Sequence, residues 1–524
     1  MRRIRADRSR DASLADGSFQ RSGPEAWRST WSSRTTQKLL VATALMLWGT
    51  PCRGDDWTIT PSVSLYESYT SNASLNPLGQ GNPDFFTTLV PAVDIRGDTS
   101  RLKLNFDYSL AAIAYIDNPD LDQLRNNLNF VSTLTLVPEL LFIDGAASVQ
   151  QVPTNGQLPV SSSPLAASTN LETVGTYNIS PYMRNRIGNF ADSEFRYTFN
   201  QVFTGGSSTG PPGQTNQLSD GTSNRLTETL VSGSDFTRLL WAVVADADNT
   251  TFSGSNPDTF SRLLQASGEY RLDREVGLLA SVGYERISDP TFAPEPEPDG
   301  PIGSVGVKYT PGPRTSIVLN FNHRYNSNFV TGSGTYLLGG QSRIEASYTD
   351  QVYTSSQSLF STNLSFLTTD QFGNFIDSRT QQLFSLASTN FGLQANAFRQ
   401  RNFNLGFHVV DGRNIFDLGG YWQDRDVFQT GETDTAVGGA FSWGRALSPL
   451  TNLNLTVRYA NENFDIPFQQ ADHLQLAGVG GSLLYHLNDT LDGILTLNYT
   501  RQFSDIPTNS VEETVVSVGL QKRF

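Results

Sequence analysis

The sequence predicts an all-β fold: a transmembrane antiparallel β-barrel of about 22 strands, within a range of about 20 to 24, with short turns at one end and long loops at the other. Three observations lead there. From Trp57 onward, apolar and polar residues alternate with period two in one segment after another. The connections between those segments alternate between short and long. The composition is polar on average yet rich in glycine and aromatics, with 44 Gly, 11% aromatic and 17% charged residues and a mean hydropathy of −0.31. Beyond residue 54 no stretch approaches the about 18 to 20 consecutive apolar residues that a spanning helix needs. A barrel reconciles these facts, because only half of its strand residues face lipid.

The chain begins with a segment that does not belong to this pattern. Residues 1–34 are rich in Arg and Ser and show no periodicity. Lys38 then precedes the apolar run Leu39–Trp48, which reads as the core of an export signal and is too short to cross a bilayer. Cleavage is expected between Gly54 and Asp55, so residues 1–54 are leader and signal peptide and 55–524 a single outer-membrane barrel. The one cysteine, Cys52, falls in the leader. The mature chain then has no disulfide framework, thiolate metal site or cysteine nucleophile. Ten basic and four acidic residues lie in 1–54; removing them from totals of 37 and 51 leaves 27 and 47, a balance of about −20. That excess excludes nucleic acid as a natural partner and suits acidic, soluble loops.

In 101–116, Leu102, Leu104, Phe106, Tyr108, Leu110 and Ala112 share one face, with Arg101, Lys103, Asn105, Asp107 and Ser109 on the other. In 193–203, Phe195, Tyr197, Phe199 and Phe203 oppose Glu194, Arg196, Thr198 and Asn200. The same alternation recurs at 314–326 and 490–503. Short connections fall at 96–100, 137–139, 232–235, 272–275, 310–314, 411–414 and 487–489. Long ones fall at 71–83, 117–123, 152–169, 204–221, 251–258, 289–299, 463–471 and 504–510. Short periplasmic turns and long outer loops are the barrel pattern. Counting gives about 14 crossings to Tyr348 and about eight from residue 387. On that count the segment 350–386 lies on the periplasmic side, as an insert, a plug or one extra hairpin. The last strand alternates to its end: Val516, Val518, Leu520 and Phe524 share a face against Glu513, Ser517, Gly519, Gln521 and Arg523. It is expected to pair with the first strand and close the wall, with Lys522 the one residue out of pattern.

Several segments resemble a known family. The stretch Trp57–Pro77, the pair Asp84–Phe85, Pro91, Gly97, the spacing from Arg101 to Tyr108 and the segment 398–426 are similar to the outer-membrane barrel proteins associated with the PEP-CTERM and exosortase system. The resemblance covers the chain after Asp55. It implies a role in exopolysaccharide production or export, with polysaccharide or an export assembly as partner. It carries over no catalytic residue.

The lumen is the functional surface of such a barrel. Arg101, Lys103, Asp107, Glu194, Arg196, Asp417, Tyr421, Arg425, Arg458, Glu462 and Asp492 have inward parity and are the candidate lining. Both charge signs occur, so cross-strand ion pairs are expected alongside a hydroxyl-rich wall suited to a hydrated polymer. Four histidines are present; His408 points inward by parity and His323 outward. The acidic loop with Asp117, Asp120 and Asp122 lacks the spacing of a dedicated Ca²⁺ loop. Glu295, Glu297 and Asp299 sit on a proline-rich rise. No phosphate-binding or zinc motif occurs in the strands, and no cofactor is expected. The function expected is a channel for a hydrated polymer or small solutes, the protein being no enzyme and a single barrel in outer-membrane lipid. The alternatives are a non-conducting docking barrel for surface polysaccharide or an export assembly, and an outer-membrane hydrolase using His408.

Overall fold

The computed structural model describes residues 53–54, 57–204, 220–253, 256–339, 341–353, 367–369, 375–377, 391, 396–465 and 470–524. Residues 1–52 of the expected leader 1–54, and with them the expected signal segment, lie outside the described residues.

Among the described residues, twenty-two long antiparallel strands close into one sheet, and Arg53–Gly54 adds a two-residue strand paired with Trp57 and Thr58. The long strands are β1 (Trp57–Thr70), β2 (Asp84–Asp98), β3 (Leu102–Tyr115), β4 (Gln123–Val137), β5 (Leu141–Pro153), β6 (Leu171–Ile187) and β7 (Ala191–Thr204). Next come β8 (Gly221–Ser232), β9 (Leu239–Phe252), β10 (Thr259–Arg271), β11 (Val276–Ser288), β12 (Asp299–Gly312), β13 (Thr315–Arg324), β14 (Ser327–Gly339) and β15 (Ser342–Tyr353). The last seven are β16 (Phe398–Asp411), β17 (Asn414–Val427), β18 (Thr433–Ser448), β19 (Thr451–Asp465), β20 (Asp472–Asn488), β21 (Leu491–Ser504) and β22 (Val511–Arg523). Each strand pairs with the next, and β22 pairs with β1 from Ser62↔Arg523 to Thr70↔Val515, which abolishes the sheet edge. Strand lengths of 10 to 17 residues suit tilted membrane crossings.

Period two sorts side chains onto two faces. Val282 is 67% exposed and Val305 61%, on the outer face, whereas Thr88 and Asp434 are 0% exposed on the inner one. An apolar exterior over a polar interior is the reverse of a soluble domain and matches a lipid-facing wall. Lys522 has outer parity, alternating with the exposed Val518 and Leu520. Its ammonium reaches the Thr490 hydroxyl on the turn at the short-loop rim, so it stands at the interface rather than in lipid.

Fifteen long strands, not 14, lie before or end at Tyr353, and seven, not eight, run from Phe398 to the end. The missed crossing is the turn between β13 and β14. It consists of Tyr325 and Asn326 at φ +53° and +55°, a tight hairpin turn made without glycine or proline. The extra crossing reverses the expected direction of the chain only as far as Phe398, because one strand fewer follows it. Residues 350–353 complete β15, and Tyr353 pairs with Phe398 at the long-loop end, so the segment between them leaves and returns there, not on the periplasmic side. Most of that segment, including any plug within it, lies outside the described residues. Leu367–Thr369 and Phe375–Asp377 pair as a small hairpin.

One seam is lapped. Pairing of β14 with β15 stops at Gly332↔Tyr348, leaving Ser327–Thr331 and Thr349–Tyr353 unpaired with each other. Alternation places Phe329 on the inner face, next to the outward Val330, and Arg399 on the outer face with Phe403. Yet the Arg399 guanidinium lies 5.5 Å from the Phe329 ring. The tip of the β13–β14 hairpin therefore overlaps the outside of β15 and β16. It covers Asp350, 4% exposed, whose carboxylate takes two 2.7 Å hydrogen bonds from Arg399.

Candidate functional site

Most candidate lining residues face the lumen and are paired there. Arg96 binds Asp107 through two bonds of 3.1 and 2.8 Å and also contacts Asp94 at 2.6 Å. Arg196 bridges Asp144 and Glu194, both at 2.9 Å, and its guanidinium lies 3.8 Å over the Tyr182 ring. Glu194 also accepts from Arg184 at 2.9 Å. His408 Nδ1 lies 2.7 Å from Asp417, and Asp492 takes His486 at 2.6 Å and Arg523 at 2.7 Å. Cross-strand pairs of this kind fix the register of the wall and neutralise charge. Two candidates are peripheral: Arg101 lies exposed in the β2–β3 turn rather than on a strand, and Lys103 is at the rim, 3.7 Å from Asp98. Among the described residues no serine hydroxyl hydrogen-bonds His408, and no cluster of three metal-ligating side chains occurs.

The outer mouth is crowded by a second group. Arg425, 2% exposed, bonds Asp434 at 2.9 Å through Nε and the Phe391 carbonyl at 3.1 Å, with the Phe391 ring 5.0 Å away. Phe391 packs with Ala436, Phe464 and Leu474, and Tyr421 lies against that cluster. Glu462 is buried one register step away, opposite Ala436 and Leu474. Nearby, Phe292 stacks on Phe428 at 4.7 Å, and the Ala397 N–H bonds Thr291 Oγ1 at 2.8 Å. The proline-rich loop 289–298 thus reaches across β13–β15. It is tied down by Glu297, which accepts from the Asp289 N–H at 2.9 Å. Burial pushes the Asp289 carboxyl above the usual carboxylate range, against the bonds it accepts from Thr291. In the acidic loop, Asp122 accepts from the Tyr115 N–H, while Asp84 accepts the N–H groups of Asp117 and Asn118. These carboxylates are spent on backbone donors.

The feature that periodicity did not reveal is the fold of residues 154–170. This connection turns into the barrel and lies against the inner wall. Glu513 on β22, 3% exposed, accepts from Ser161 Oγ at 2.8 Å and the Ser162 N–H at 2.9 Å. Arg125 on β4 donates to the carbonyls of Pro164, at 3.0 Å, and of Ala166. The Ala167 N–H bonds Tyr115 Oη at 2.9 Å, and Thr88 donates to the Leu165 carbonyl at 3.3 Å. Ala166 and Ala167 complete an apolar cluster with Phe86, Ile113, Tyr115 and Val515. The sequence signal was present in part: Glu513 and Arg125 are ionisable residues of inward parity, and each needs a partner when buried.

Between this loop and the wall of β19–β21 lies a cleft of about 180 Å³. Tyr66, Asn454, Thr456, Arg458, Asn498 and Thr500 line it, with Ser162–Leu165 opposite. Arg458 donates to Thr500 Oγ1 at 3.2 Å. Among the described residues no carboxylate pairs with it, unlike Arg96, Arg196, Arg425 and Arg523.

No protein-family model matches the chain, and no curated protein does. Its structure is similar to that of the siderophore receptor PirA from Acinetobacter baumannii, with a TM-score of 0.50 and 8% identity over 89% of this chain and 80% of that one. The FrpB iron transporter from Neisseria meningitidis aligns at a TM-score of 0.49 and 12% identity, over 90% and 82% of the two chains. The outer-membrane protein opdK from Pseudomonas aeruginosa aligns at 0.34 and 8%, over 89% and 99%. The likeness to PirA shows the fold: a closed β-barrel of the outer-membrane type.

Proposed function

We propose that the protein is an outer-membrane conduit through which a hydrated polysaccharide, or small hydrated solutes, cross during exopolysaccharide production or export. The observation that carries this reading is the inward loop 154–170. A segment of this length tied to β22, β2, β3 and β4 narrows a lumen, and the cleft beside it is the proposed passage. The passage offers hydroxyls, amides and a tyrosine, the groups that exchange hydrogen bonds with sugars, instead of a dense ring of one charge. The resemblance to exosortase-associated barrels supports the choice of cargo. Liposomes containing the refolded chain test it. Neutral oligosaccharides added outside should cause swelling at rates that fall with chain length. Vesicles that stay osmotically tight to every sugar would overturn the proposal.

A further inference from the structure

We propose that the cleft at Arg458 is a binding subsite for a carboxylated sugar unit, so that the conduit prefers acidic over neutral glycan. The inference rests on the conduit reading and names its substrate class. Its first support is the isolation of the charge. Arg96, Arg196, Arg425 and Arg523 are each offset by a carboxylate, whereas the hydrogen-bond partner of Arg458 is a neutral hydroxyl. An arginine in that state keeps guanidinium donors for a planar anion and can hold a carboxylate through two parallel bonds.

The second support is the space made for it. A Cβ on Gly478 would come within 2.6 Å of Arg458 Nε, so the glycine lets the arginine lie flat across β20. At Gly480 a Cβ would come within 3.2 Å of Asn498 Oδ1, so the neighbouring floor is kept open as well. The remaining lining is sugar-like in its demands. Asn454, Asn498, Thr456 and Thr500 supply amides and hydroxyls, Tyr66 an aromatic face, and Pro164 and Leu165 an apolar edge. The Thr496 hydroxyl, also at the cleft, has no hydrogen-bond partner among the described residues. At about 180 Å³ the cleft is smaller than the roughly 300–1,000 Å³ of a pocket that encloses a whole ligand. It suits one unit of a passing chain.

The test is calorimetric titration of the full chain, refolded in detergent, with tetragalacturonate, maltotetraose and acetate. Tetragalacturonate is expected to bind about tenfold more tightly than maltotetraose, the size of one charge-assisted contact. Arg458→Gln should reduce its affinity to the maltotetraose level and leave maltotetraose unchanged. Gly478→Ala keeps the charge but displaces the guanidinium, and should weaken tetragalacturonate selectively. Heat-dependent gel migration establishes that each variant is a folded barrel. Equal affinities for the two tetrasaccharides, or an Arg458→Gln variant with unaltered preference, would overturn the subsite. Acetate binding as tightly as tetragalacturonate would overturn its assignment to sugar. Vesicles tight to all sugars alongside intact selective binding would instead remove the conduit reading and leave the subsite standing.

Discussion

Replacing Glu513 by alanine removes the main anchor of the inward loop without touching the loop itself. The Glu513 carboxylate accepts from Ser161 Oγ at 2.8 Å, from the Ser162 N–H at 2.9 Å and, within its own wall, from Thr70 Oγ1 at 3.1 Å. A hydrogen bond to a charged group contributes about 1.5–3 kcal/mol net. Taking the two loop contacts at the lower value, the change loosens residues 161–163 by about 3 kcal/mol, which is about a 100- to 200-fold larger open population. Amide hydrogen exchange reads this directly. The Ser162 N–H should exchange faster by about that factor in Glu513→Ala. The Ala167 N–H, held separately by Tyr115 Oη, should change far less. Exchange at Ser162 altered less than about threefold would refute the claim that the carboxylate pins the loop to the wall.

The same geometry sets three further expectations. Arg425→Ala leaves Asp434 buried at 0% exposure without its main cation and should cost about 3–5 kcal/mol of stability, read as a lowered thermal unfolding midpoint. Arg399→Ala removes the contact between the hairpin tip and β16. Trypsin or chymotrypsin should then cut near Tyr325 in the variant and not in the parent protein. The raised Asp289 carboxyl stabilises its loop fully below its ordinary value near 3.8, and that contribution is lost as pH rises through the higher value of the folded state. Proteolysis of the 289–298 loop should therefore quicken from acid to neutral pH in the parent protein, and Asp289→Asn should flatten the profile.

The wall was legible in the sequence because a sheet with lipid on one side and water on the other enforces period two. The parities of Asp107, Glu194, Arg196, Asp417, Arg425 and Asp492 are the ones found in the barrel. Their partners were not legible. Arg196 meets Asp144 through β5 to β7, a matter of register that alternation alone does not fix. The hairpin at Tyr325–Asn326 was missed because both residues take positive φ without being glycine, and Asn326, which tolerates that conformation, is a weak turn signal without glycine or proline beside it. That one omission moved the segment 350–386 to the wrong end of the barrel. The inward fold of 154–170 was hidden for a different reason: Ser161 and Glu513 are 352 positions apart, and only closure of β22 on β1 brings them together.

On the proposed function the lumen conducts and residues 154–170 narrow it. Planar-bilayer recordings of the full chain against a variant with 157–167 replaced by a glycine–serine linker test this most directly. Discrete ohmic openings are expected in the parent protein and a clearly larger unit conductance in the variant. A parent barrel that stays silent, or a variant whose conductance is unchanged, would contradict it.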